Sequence, residues 1–274
     1  MGRRTTRFIV VLGLAMMLAA CTSSGGSSAA QWPTSMVAVG HSGLTAWNSD
    51  PVVRGGQDIP ENSWATGTNP AVNSIYLREL AGHPALKGHN FNVAKDGSTV
   101  DDLSRQVGLA LAEVPLPDLF ILQTVDNDIR CDGTDPQNYG PFGATLHAAL
   151  AEIAKGAPKA QIWIIGITID EQSYVDATKH MPNQIAQNSK GGPCDYFTPQ
   201  GEVLSKAVAY QGDVVDHYNA LVRSVCAEFP QCHDDGGATE HMKIDESFLG
   251  PDGAHATVHG LATMADVAWE AFHG

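Results

Sequence analysis

The chain has 274 residues and carries 16 lysines and arginines against 30 aspartates and glutamates, a formal charge of −14 at neutral pH. That balance argues against a nucleic-acid partner, whose phosphates demand basic patches, and against broad adhesion to anionic membranes. The length suffices to bury a substantial core without help.

Residues 1–20 read as an export signal. "MGRRTTR" is a basic n-region, "FIVVLGLAMML" an apolar run of eleven residues, and "LAAC" a small-residue cleavage site. The apolar run is short for a retained membrane helix. Leu18-Ala19-Ala20-Cys21 resembles the lipobox of bacterial lipoproteins. The resemblance implies cleavage before Cys21, acylation of that cysteine, and attachment to the outer side of the cell membrane. An ordinary secretory signal would instead release the protein. Residues 21–33 hold the Ser/Gly/Ala tract "TSSGGSSAAQ" and suit a flexible tether. Losing residues 1–20 removes Arg3, Arg4 and Arg7, leaving 254 residues and moving the charge from −14 to −17. No later linker or composition shift divides the chain, so residues 34–274 are expected to form one domain.

The elements follow in order. "MVAVGH" (36–41) predicts a buried strand. Residues 69–83 predict a helix with Asn69 as cap, Pro70 at its first position, and Val72, Ile75, Tyr76 and Leu80 on one face. "HNFNVAKDG" (89–97) reads as a strand, and 98–114 as a helix with Ser98 and Asp101 as its capping signal. "PDLFILQT" (117–124) is almost continuously apolar, as a central parallel strand should be. A helix over 142–158, ended by Gly156 and Pro158, precedes the strand "QIWIIGIT" (161–168). Residues 170–200 are polar and broken by Pro, Gly and Asn, so they read as an excursion, a candidate lid or substrate wall. Residues 202–229 predict a helix interrupted near Gly212, and 258–274 a final helix. This alternation predicts a three-layer α/β/α sandwich with a mostly parallel central sheet. Sites in such folds lie at the carboxyl ends of the strands.

The residues at those ends are chemically pointed. Ser42 follows the first strand, Gly97 the second, and Asn127 the third in "VDND"; Asp252 and His255 lie in "PDGAH" before the last helix. A serine, a histidine with a nearby carboxylate, a glycine amide and an asparagine amide are the parts needed for acyl transfer. "GHSGL" only approaches the G-x-S-x-G elbow of α/β-hydrolases, because Leu44 stands at the fifth position. The four blocks instead resemble those of the SGNH (GDSL-type) hydrolases, in order and across the whole mature region, with the nucleophile close to the mature N-terminus. The resemblance implies an SGNH/flavodoxin-like fold and a catalytic set of Ser42, Asp252 and His255. It implies an oxyanion hole from Ser42, Gly97 and Asn127. Two positions depart from the family pattern. His41 stands where the first block has aspartate, and Val125 where the third has glycine. Because strand side chains alternate, His41 is expected to be structural rather than a base.

The implied activity is ester hydrolysis through an acyl-enzyme, as an esterase, a lipase or a carbohydrate deacetylase. Its substrates would be small-molecule, lipid or glycan esters. No cofactor or metal is expected, and the protein is expected to act as a monomer. The alternative is a non-catalytic envelope lipoprotein that binds glycan or lipid in the same cleft. Setting Cys21 aside, four cysteines remain, and an even number in an exported chain reads as two disulfides. Cys226 and Cys232 are close in sequence and favour local pairing, which leaves Cys131 with Cys194; a zinc site would want tight CxxC pairs. Trp47 and Trp64 are candidates for the substrate cleft.

Overall fold

Short runs of apolar and β-branched residues, each ended by Gly, Asn or a polar turn, build the sheet. The computed structural model describes residues 1–2, 33–114 and 117–274; the export signal, Cys21 and the tether up to Trp32 lie outside the described residues. In chain order the elements are β1 (Met36–Gly40), α1 (Ser42–Thr45), α2 (Pro51–Arg54), α3 (Ile75–Gly82), β2 (Asn90–Asn92), α4 (Leu103–Glu113), β3 (Leu119–Gln123), α5 (Asp135–Gly156), β4 (Gln161–Ile165), α6 (Glu171–Thr178), α7 (Pro182–Gln187), α8 (Ser205–Cys226), β5 (Cys232–Asp234) and α9 (Val258–His273).

The sheet order is β2-β1-β3-β4-β5, with every pairing parallel. Gly40 lies beside Gln123, and Gln123 beside Ile165, so the three central strands end in register. Alternation along the strands divides the core in two. Val37, Val39, Phe120, Leu122, Ile162 and Ile164 face a cluster that includes Val107 of α4, Leu146 of α5 and Tyr218 of α8. Met36, Ala38, Leu119, Ile121, Trp163 and Ile165 face the other, with Ile75 of α3 and Leu261 and Met264 of α9. This is the expected three-layer sandwich. The reversal of strand order between β1 and β3 opens a crevice at their carboxyl ends, where ligands of such folds bind.

Several boundaries differ from the sequence pattern for local reasons. Asn69 and Pro70 do not start a helix. Asn69 Oδ1 accepts from the Ala71 amide in a turn, and α3 begins after Ser74, whose Oγ accepts from Leu77 N at 3.2 Å. Thr99, not Ser98, heads the next helical segment, donating its amide to Asp102 Oδ2 at 3.3 Å. α5 starts seven residues earlier than expected, because Pro141 is carried within it. Gly212 does not interrupt α8. The excursion contains α6 and α7, and the polar edge strand β5 carries no apolar signature. Among the described residues no helix is long and apolar enough to cross a membrane.

Both expected disulfides are present, Cys131–Cys194 and Cys226–Cys232. The first closes a span of 63 residues and ties the excursion to the loop after β3; the second closes a span of 6. The entropy of the unfolded chain makes the long closure the more stabilising. Replacing both Cys131 and Cys194 by serine is expected to cost about 4 kcal/mol in denaturant unfolding, against about 2 kcal/mol for the Cys226/Cys232 pair.

Candidate active site

The site begins with the four-residue turn that leaves β1. Gly40 adopts φ +148, and a Cβ there would lie 2.1 Å from the Gln123 carbonyl, so no larger residue fits. The fully buried Gln106 of α4 closes both of its backbone groups: Gly40 N donates to Gln106 Oε1 at 2.7 Å, and Gln106 Nε2 donates to Gly40 O at 2.9 Å. Gly43 packs on the Gln123 side chain, whose Oε1 accepts from Trp64 Nε1 at 2.9 Å. Between these glycines, Ser42 is the first residue of α1 and is half-buried.

His41 caps α1. Its Nδ1 accepts from Gly43 N at 3.2 Å, and its Nε2 lies 2.7 Å from Asp126 Oδ2. An Nδ1 that accepts leaves the ring proton on Nε2, the nitrogen that faces the carboxylate. The buried imidazole therefore fastens the serine turn to the loop after β3.

That loop supplies the next groups. Val125 takes φ +99 and is wholly buried. Asn127 Nδ2 donates to Ser98 O at 2.9 Å, and Ser98 Oγ accepts from Gln106 Nε2 at 3.0 Å. Asp128 accepts the Val100 amide on both oxygens, at 3.1 and 3.2 Å. Burial pushes its carboxyl up to about 6; the Val100 amide opposes that rise, and the nearby Asp101 and Asp126 charges add to it.

The third part precedes α9. His255 Nδ1 lies 3.0 Å from Asp252 Oδ2, while Asp252 Oδ1 accepts the amides of Ala254 and His255, each at 3.0 Å. Asn48 Nδ2 also donates to Asp252 Oδ2, at 2.5 Å. Burial alone would raise this carboxyl. The hydrogen bonds from His255, Ala254 and Asn48 outweigh it and hold Asp252 well below the usual carboxylate range. The excursion props the loop from outside. Tyr174 OH donates to Gly253 O at 2.7 Å, Gln184 Nε2 to Asp252 O at 2.6 Å, and Asn183 Nδ2 to the same carbonyl at 3.0 Å.

A cavity of about 460 Å³ lies among these loops, lined by Ser42, Asn127, His255 and Trp47 as well as by the walls of α6 and α8. Trp47 faces His255 with ring centroids 6.4 Å apart. Asp252 stands behind His255 rather than on the cavity wall, and Gly97, exposed at φ +70, sits outside the lining. Trp64 is not a cleft residue. It is fully buried beneath Gly43, where the bond to Gln123 satisfies its indole. Sequence pattern missed Gln106, Asn48, Tyr174 and Gln184. Each acts through hydrogen bonds to residues distant in sequence, which no local motif announces.

No family model and no curated protein matches the chain. Among solved structures it resembles phospholipase A1 from Streptomyces albidoflavus NA297, with TM-score 0.55 and 14% identity over 86% of this chain and 98% of that one. It also resembles TesA, with TM-score 0.50 and 14% identity over 87% and 98% of the two chains. A third likeness is to Axe2, an acetylxylan esterase from Geobacillus stearothermophilus, with TM-score 0.50 and 16% identity over 88% and 94%. At these identities the likeness establishes a shared fold.

The buried Asp128 makes stability depend on pH with a definite sign. Its folded value, about 6, lies above the ordinary 3.8, so the native state binds the proton more tightly and stability from this group falls as pH rises from 4 to 7. Asp128→Asn keeps an acceptor for Val100 and removes the titration. The variant is expected to gain roughly 2–3 kcal/mol relative to wild type between pH 4 and pH 7, read as the pH dependence of the difference between their urea midpoints.

Proposed function

We propose that the chain is an exported serine ester hydrolase of the SGNH type. The observation that carries this reading is the placement of Ser42, Asn127 and His255 on one cavity at the β1/β3 crevice, with Asp252 directly behind His255. Structures that share the fold are named as a phospholipase A1 and an acetylxylan esterase, which supports an ester as the substrate. The two disulfides support export, and Cys21 is the proposed point of lipid anchoring.

In the proposed reaction His255 takes the Ser42 proton as Oγ attacks the ester carbonyl. Asp252 accepts from Nδ1, fixes the tautomer and stabilises the imidazolium. The low-lying Asp252 carboxyl suits that task, since it stays anionic throughout. The developing oxyanion would be held by the Ser42 amide and the Asn127 side chain, each such donor typically worth about 10²–10³ in rate, while Gly97, outside the lining, is not called on. His255 then protonates the departing alcohol, and water attacks the acyl-enzyme with His255 again as base. His41 works through its neighbours, setting the serine turn against the loop that carries Asn127.

Ser42→Ala is expected to lower turnover of short p-nitrophenyl esters by at least about 10³ and to abolish labelling by a fluorophosphonate probe, with an unchanged circular dichroism spectrum. Undiminished turnover would refute the assignment. Absence of both turnover and labelling in the wild type would favour a binding lipoprotein. His41→Asp sets a second carboxylate against Asp126 and is expected to lower kcat by about 10² through misplacement of the nucleophile. Adding Asp126→Asn should restore most of that loss while KM stays nearly constant. Additive effects of the two substitutions would rule out the clamp.

A further inference from the structure

Among the described residues, the hydrogen bonds to the Asp252 carboxyl come from its own loop, with one exception. Oδ1 accepts the amides of Ala254 and His255, and Oδ2 meets the His255 ring. The exception crosses the site: Asn48 Nδ2 donates to Oδ2 over a separation of 204 residues. The oxygen that faces the imidazole is therefore shared with a side chain from the segment that carries Ser42.

Asn48 is held on every side. It is buried, and its backbone turns with φ +53, a left-handed conformation that asparagine adopts more readily than most residues. Its amide donates to Gln57 O at 2.9 Å, and Gly56 N donates to its Oδ1 at 3.0 Å. The second contact fixes the carboxamide: the oxygen must face Gly56 N, so the NH2 faces Asp252. The position thus requires an acceptor on one side and a donor on the other. An ionised carboxylate offers acceptors alone, and alanine offers neither. The titratable groups set against Asp252 are His255, from the same loop, and Tyr174, from α6. Asn48 adds a donor to these without adding a charge.

We propose that Asn48 is a positioning residue for the acid–base pair: its carboxamide holds the Asp252 oxygen that receives His255 Nδ1–H in register with Ser42, six residues upstream. The inference rests on the ester-hydrolase reading for its effect on turnover, but the hydrogen bond can be read without it. If Asn48 is removed, Asp252 keeps its loop amides and its bond to His255. The two then shift together relative to Ser42, and the proton transfer between Ser42 and His255 loses its alignment. Asn48 does not line the cavity, so the surface that receives the ester is unchanged. The loss therefore falls on kcat and not on KM.

The test compares two variants of the purified protein, disulfides intact, on p-nitrophenyl acetate. Asn48→Ala is expected to lower kcat about 10²-fold with KM within about threefold of wild type. Asn48→Asp keeps the shape and supplies a donor only while protonated. Two carboxyls in contact share a proton, so at about pH 5.5 this variant should keep kcat within about threefold of wild type. The ratio should then fall about tenfold by pH 8 as the shared proton leaves, whereas the Asn48→Ala ratio stays level. Proton NMR reads the bond directly: the downfield Nδ1–H resonance of His255, identified by its absence in His255→Ala, should move upfield or vanish by exchange in Asn48→Ala. Near-ultraviolet circular dichroism confirms that each variant is folded. An unmoved resonance in Asn48→Ala would overturn the proposal, as would a loss confined to KM or an Asn48→Asp ratio that ignores pH. Fluorophosphonate labelling of the wild type, run separately, reports on the hydrolase reading. A resonance that responds to Asn48 without any labelling would leave the positioning bond standing and remove the ester chemistry.

Discussion

The two hydrogen bonds that a single buried amide makes to Gly40 fix the geometry on which the site depends. β1 must end at Gly40, because a Cβ there would strike the Gln123 carbonyl of the adjacent strand. Past that point the sheet no longer supplies partners, and Gln106 takes over from α4 by closing Gly40 N and O. The same Nε2 reaches Ser98, whose carbonyl in turn receives Asn127. One side chain thereby sets the turn before Ser42, the loop after Gly97 and the position of the Asn127 amide. In a dry interior such a connected network is rigid, because each broken link leaves a polar group unpaired. His41 adds a second fastening on the other side of Ser42 through Asp126.

The histidine half of the site is built separately and is joined to the serine half by few contacts. Asn48, six residues after Ser42, reaches Asp252 from the segment that carries Ser42. Trp47 faces His255 from the same segment, and Tyr174, Asn183 and Gln184 of α6 and α7 hold the loop's carbonyl groups. The excursion is thus a buttress as well as a wall: it holds the carbonyl groups of Asp252 and Gly253 while its inner face lines the cavity. Cys131–Cys194 ties the far end of the same excursion to the β3 loop. A movement of α6 and α7 would therefore displace both His255 and the cavity wall, which couples the shape of the cavity to the position of His255.

What was legible in the sequence was periodic or block-like. The buried runs at 36–40, 119–123 and 161–165 gave the sheet because parallel central strands are apolar on both faces. Ser42, Asn127, Asp252 and His255 could be picked out because each stands just past a strand or just before the last helix. β5 escaped because Cys-His-Asp at a sheet edge has no apolar alternation. Pro141 hid the first two turns of α5; a proline inside a helix removes one backbone hydrogen bond and reads in the sequence as a stop. Trp64 stands in a polar segment and is a cleft candidate by sequence, yet its indole has a buried acceptor in Gln123, a contact 59 residues away.

Val125 shows how a β-branched residue is tolerated in a left-handed turn. The loop must reverse there, since Asp128 N turns back to Val125 O at 2.7 Å while Asp126 faces His41 and Asp128 meets Val100. That reversal needs φ +99, a region in which glycine is at ease and a β-branched residue is strained by about 1–3 kcal/mol. The valine side chain, however, is fully buried among Val100, Leu103 and Phe142 in the core. Burial of that size contributes about 1.5–3 kcal/mol, comparable with the strain and opposite in sign. Glycine would relieve the backbone but would leave the turn with no side chain held by the core. Valine instead pins the base of the loop, so the two carboxylates that follow are presented in fixed directions, one to the imidazole beside Ser42 and one to the Val100 amide in the turn that leads into α4.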